Sequence, residues 1–134
     1  MTNVYSPQSY RTCVAPGART VVSAVVKIPT ADLLVPIPFR GRLVHFQSSV
    51  TVAVGSAGDI VVGIEKDVAD GTLLGELTIA GSATVGTEDT GVLTGGLTDE
   101  TLTIDNQDVC LAVTGSASAG QANVFMIFEH SYVE

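Results

Sequence analysis

The chain has 134 residues and carries 14 acidic side chains against 6 Lys and Arg, a formal charge of −8. With 15% charged and 46% hydrophobic residues and a mean hydropathy of +0.41, it cannot be a disordered acidic tail. The length suits one domain that buries about two-thirds of its surface on folding, and no apolar run approaches the roughly 20 residues of a membrane-crossing helix.

Residues 1–19 lack a long apolar alternation and contain Pro7, Pro16 and Gly17. They read as an extended N-terminal arm ahead of a domain at residues 20–134, and they lack the basic start and apolar run of a secretory signal. Fully extended, such an arm reaches about 60 Å. Val22, Ala24, Val26 and Ile28 then recur at period two, the mark of a half-buried strand. Residues 29–41 carry Pro29, Pro36 and Pro38 around Leu33, Leu34 and Val35. Proline removes a ladder donor, so this apolar stretch is not expected in a central strand. Together with Ile37 and Phe39 it is expected to line an interface between copies.

From residue 43 the alternation resumes, with Val44, Phe46, Val50, Val52 and Val54 apolar and His45, Gln47, Ser49 and Thr51 between them. Further strands are marked by Ile60, Val62 and Ile64, by Leu73, Leu77 and Ile79, by Leu102 and Ile104, by Val109, Leu111 and Val113, and by Val124, Met126 and Phe128. Turn formers separate them, among them Asp105-Asn106 and the Gly115 to Gly120 run. Only residues 64–70 suggest a helix, of a single turn. Seven or eight short strands with Gly-rich turns predict an all-β fold, an antiparallel β-sandwich of jelly-roll type with the arm attached.

Charge is segregated along the chain. Residues 1–42 hold Arg11, Arg19, Lys27, Arg40 and Arg42 against Asp32, a balance of +4, whereas residues 43–134 hold Lys66 against thirteen acids, a balance of −12. A basic arm that meets an acidic surface is the physical implication.

Motifs for chemistry are sparse. The two histidines, His45 and His130, lack the His-x-His spacing of a metal-binding jelly roll. Cys13 and Cys110 fit no metal spacing and are expected to be reduced and buried. The Gly115 to Gly120 run does not have the Gly-x-Ser-x-Gly order of a nucleophile elbow, and no Gly-rich loop ends in the Lys-Ser/Thr that holds phosphates. Glu88-Asp89, Asp99-Glu100 and Asp105 to Asp108 lack the order of a calcium loop and read as solvated turn acids. An acidic chain with no Trp and 5% aromatic residues does not suit nucleic acid. No enzyme, no cofactor, no metal and no membrane partner is expected.

The segment Asp108-Val-Cys-Leu-Ala-Val-Thr-Gly-Ser-Ala-Ser-Ala-Gly-Gln-Ala-Asn-Val-Phe-Met-Ile-Phe-Glu129 resembles the closing hairpin of small tailed-bacteriophage structural proteins. Gly41 to Phe46, Ala57 to Ile64 and Asp70 to Ile79 look like the earlier strands of that layout, so the likeness spans residues 41–130. It implies a head-decoration, or capsid cement, protein: a β-sandwich on the capsid exterior, assembled in the host cytoplasm, often trimeric, and bound to the major capsid protein. Such proteins commonly grip the capsid through a terminal arm. That role would fall here to Tyr5, Tyr10, Arg11 and Arg19. A carbohydrate- or receptor-binding module of a phage tail or bacterial surface is the alternative, against which the absence of Trp counts.

Overall fold

The computed structural model describes residues 17–29, 32–66 and 71–130. Eight strands hold most of the described residues: β1 (Arg19–Ile28), β2 (Asp32–Val52), β3 (Ile60–Lys66), β4 (Leu73–Ile79), β5 (Glu88–Thr90), β6 (Val92–Leu93), β7 (Thr103–Thr114) and β8 (Gly120–His130). A four-residue helix, α1 (Asp99–Leu102), precedes β7, capped by the Thr98 hydroxyl, which accepts a hydrogen bond from the Thr101 amide at 3.2 Å.

All the pairings are antiparallel, in the order β1-β8-β2-β7-β3-β4-β6, with β5 on β2. The 21-residue β2 makes this one curled sheet into two layers. Its first half, from Asp32 to Arg42, pairs with β7, and its second half, from Gly41 to Val52, pairs with β8. One layer therefore runs β1-β8-β2-β5 and the other β2-β7-β3-β4, the two four-stranded sheets of a jelly roll. The antiparallel β-sandwich is thus the observed fold.

Three bulges let β2 turn this corner. Its register shifts against β7 between Ile37 and Arg40, and against β8 between Leu43 and His45 and between Val50 and Val52. Each adds a residue to β2 and bends it. The bulges also explain where simple alternation fails. Val35, Ile37 and Leu43 face the core on odd numbers, Phe46, Ser48 and Val50 on even ones, and after the last bulge Val52 turns out to solvent. Opposite the first bulge, Asn106 takes a φ of 52°, so the expected turn at Asp105-Asn106 is instead a kink inside β7.

The proline segment is likewise part of a strand. Pro36 and Pro38 lie in the half of β2 that, among the described residues, has a partner, β7, on one side only, which is where a residue without an N–H is tolerated. Leu102 ends α1 rather than starting a strand, and residues 64–66 extend β3, while 67–70 lie outside the described residues.

Between the layers, one apolar cluster includes Phe46, Leu77, Ile79, Leu111, Met126 and Phe128, all buried. Phe46 fills a slot left by two glycines. A Cβ added at Gly91 would lie 2.0 Å from its ring, and one at Gly75 would lie 2.6 Å from it.

Candidate docking surfaces

Of the four residues expected to grip a capsid, Tyr5, Tyr10 and Arg11 lie outside the described residues. Arg19 does not belong to an arm. It opens β1, pairs with Glu129 in register, and its guanidinium lies 3.7 Å from that carboxylate. The backbone is tied to β8 from Gly17 onward, through Gly17 N–H to the His130 carbonyl and His130 N–H to the Ala18 carbonyl.

The five residues expected at an interface divide by strand phase. Val35 and Ile37 point between the layers and are buried in the chain's own core, and Leu33 and Phe39 pack against that core. Val35 and Ile37 leave almost no surface outside, and Leu33 and Phe39 leave part of theirs. Leu34 points the other way and is 54% exposed.

Charged residues expected in turns lie instead in elements and are partly paired. Asp99 in α1 accepts from Arg42 at 2.8 Å, Glu129 accepts from the same guanidinium at 3.3 Å, and Asp105 accepts from Arg40 at 3.1 Å. Arg19, Glu129, Arg42 and Asp99 so form a ladder of alternating sign across β1, β8, β2 and α1. The hydrogen bond to Asp99 holds the Arg42 guanidinium above its ordinary pKa against an opposing effect of burial, with the Asp99 and Glu129 charges adding to the rise. Lys66 donates to the Glu100 and Thr101 carbonyls and ties β3 to α1. His130 hydrogen-bonds Thr20 and stacks on Phe39, with ring centroids 4.7 Å apart, while His45 bonds Gln47. Among the described residues no three His, Cys, Asp or Glu side chains come together as metal ligands would.

The edges of the two layers differ, and the sequence alone does not reveal it. β5 and β6 hinge at Gly91 and bridge the layers, β5 pairing β2 and β6 pairing β4, which covers one side of the sandwich. Asp89 on β5 sits opposite the buried Ser48, and an inward-facing acid of this kind discourages further strand pairing. On the other side, the open edge of β2 carries Pro36 and Pro38. β1 alone lacks these devices. It is ten residues long, its register with β8 is unbroken, and among the described residues nothing pairs with its outer edge. Its outward side chains include Val21, 58% exposed, and Val25, 52% exposed.

No protein-family model matches the chain, and no curated protein does. A solved structure from work on Bacillus endospore appendages, described as a family of disulfide-linked pili, is similar over 90% of this chain and 97% of that chain, at 17% identity and a TM-score of 0.34. So slight a likeness carries no argument about what this chain does.

Proposed function

We propose that the chain is a non-catalytic structural protein that works by docking onto an ordered protein assembly, and specifically that it decorates the exterior of a capsid. The observation that carries this reading is the β1 edge, a long, regular strand whose outer backbone is unpartnered among the described residues and whose flank shows Val21 and Val25. Such an edge is a ready template for a strand of another chain, and a protein that has blunted its other edges but not this one has kept a place for a partner. A ligand of this kind stabilises the assembled shell by mass action, because whatever binds the assembled state preferentially draws the equilibrium toward it. The resemblance over residues 41–130 gives the assembly its class, with the major capsid protein as partner.

Shells stripped of the protein, mixed with purified chain and pelleted, test this. Saturable binding at a fixed copy number per shell is expected, weakened when Val21 and Val25 are both replaced by Asp. Absence of binding by the intact chain would overturn the proposal.

A further inference from the structure

The hydrogen-bonding phase of β1 follows from its first contacts with β8. His130 donates to the Ala18 carbonyl, so the next pair, Arg19 and Glu129, is one of those between which no backbone bond runs. Bonded and unbonded pairs alternate along an antiparallel ladder, and this register is unbroken to Ile28 and Gly120. The even-numbered residues of β1 therefore exchange bonds with β8. The odd-numbered ones, with Val21, Ser23 and Val25 at the centre, turn N–H and C=O to the outer edge, where nothing among the described residues meets them. Their side chains are exposed as well.

Three properties of this edge define what fits it. On the outer face, Val21 and Val25 flank Ser23, so an added strand gains most from apolar side chains beside the valines and a polar one between. On the inner face, Val22 and Ala24 of β1, and Leu33 and Phe39 of β2, pack on the core but are only partly buried. Apolar side chains at the alternate positions of the added strand extend the core over them, with most room opposite Ala24. The third property is charge. Arg19 already has Glu129 at 3.7 Å, whereas Lys27 is exposed, stands in register with Gln121, and takes part in none of the ion pairs among the described residues.

We infer that the β1 edge takes an extended protein segment running antiparallel to it, apolar on its inner side and beside the two valines, and acidic at its N-terminal end, where it meets Lys27. The antiparallel sense is that of the sheet's own pairs and is the more stable one. Main-chain bonds supply the affinity of such a contact, and the alternate side chains and the charge at its end supply the selectivity. The inference rests on β1 being the docking edge and adds the chemistry of what docks there.

Amide exchange followed residue by residue by NMR on the full chain tests it without a shell. The probe is the capped peptide Glu-Thr-Val-Leu-Thr-Val-Val, whose glutamate lies opposite Lys27 and whose last valine lies opposite Val21. In the free chain the amides of Val21, Ser23 and Val25 are expected to exchange fast and those of Val22 and Ala24 slowly. Peptide well above its dissociation constant should slow the first three by about tenfold or more. A proline in place of the threonine opposite Ser23 removes a bond to the edge and should abolish the protection. Lys27→Glu should weaken the peptide by about threefold, and a lysine in place of the peptide's glutamate should restore binding to that variant. Absence of protection at several millimolar peptide, equal binding by the proline peptide or by Lys27→Glu, or tighter binding when the glutamate is moved to the C-terminal end would each overturn the inference. So would amides of Val21, Ser23 and Val25 already protected without peptide, whether by the chain's own residues or, as its concentration rises, by a second copy. Shells that fail to bind the chain, with peptide protection intact, would remove the capsid reading and leave this one; shells that bind it while the peptide does not would do the reverse.

Discussion

At the scale of single residues, the packing around Phe46 depends on side chains that are absent. Gly91 is where β5 passes into β6, and the Phe46 ring lies against its backbone, so a methyl group there must displace the ring. Gly91→Ala is expected to cost about 1–3 kcal/mol through overpacking, read as a lower urea midpoint with an unchanged slope. Ser48 is the opposite case. Among the described residues its buried hydroxyl has no hydrogen-bond partner, and neither has Oδ2 of Asp89 across the strand pair. Removing an unsatisfied hydroxyl removes a desolvation cost, so Ser48→Ala should be neutral or stabilise by up to about 1 kcal/mol, checked by the same titration. For Arg42 the hydrogen bond to Asp99 raises the folded-state pKa above the ordinary guanidinium value, so the stability it contributes is complete below that ordinary value and is lost only as pH rises through the raised one. The pair is partly exposed and worth about 1 kcal/mol at most. The melting difference between wild type and Arg42→Gln should accordingly be flat from about pH 7 to about pH 10.

At the scale of elements, β1 is a two-sided strand whose sides have different duties. Val26 is 1% exposed and belongs to the core, while its neighbour Val25 faces out. Val26→Ala should cost about 2 kcal/mol and Val25→Ala less than about 0.5 kcal/mol, a contrast that denaturant titration resolves. The strand was legible in the sequence because Val22, Ala24, Val26 and Ile28 keep one phase throughout. β2 was not. Its two later bulges, at Leu43/His45 and Val50/Val52, switch the phase of the apolar positions, so a period-two reading places Val52 on the same face as Phe46, whereas the structure turns it to solvent. The prolines misled for a related reason. They do exclude a fully paired strand, but β2 changes partners midway, and a strand with a single neighbour along residues 32–40 accommodates them. Asp99 and Glu100 had the composition of a turn, and only the Thr98 cap and the Arg42 and Lys66 contacts make a helix of them.

At the scale of the whole molecule, the segregation of charge along the chain is largely undone by folding, because Arg19, Arg40 and Arg42 are each brought onto acids from the C-terminal half. The cations of residues 19–42 do not extend from the body on an arm. They are folded into strands, where Arg19 and Arg42 share Glu129 and Arg40 meets Asp105 across the β2-β7 pair. The candidate docking edge could not be found by motif, because its signal is the absence of a neighbour among the described residues, and only strand order reveals where β1 stands in the sheet. Electron cryomicroscopy of intact particles from the organism that carries the chain is the most direct test. The account predicts density for this sandwich at regular positions on the particle exterior, with β1 against its support, whereas particles that carry no such density, with the protein recovered only in solution, would contradict it.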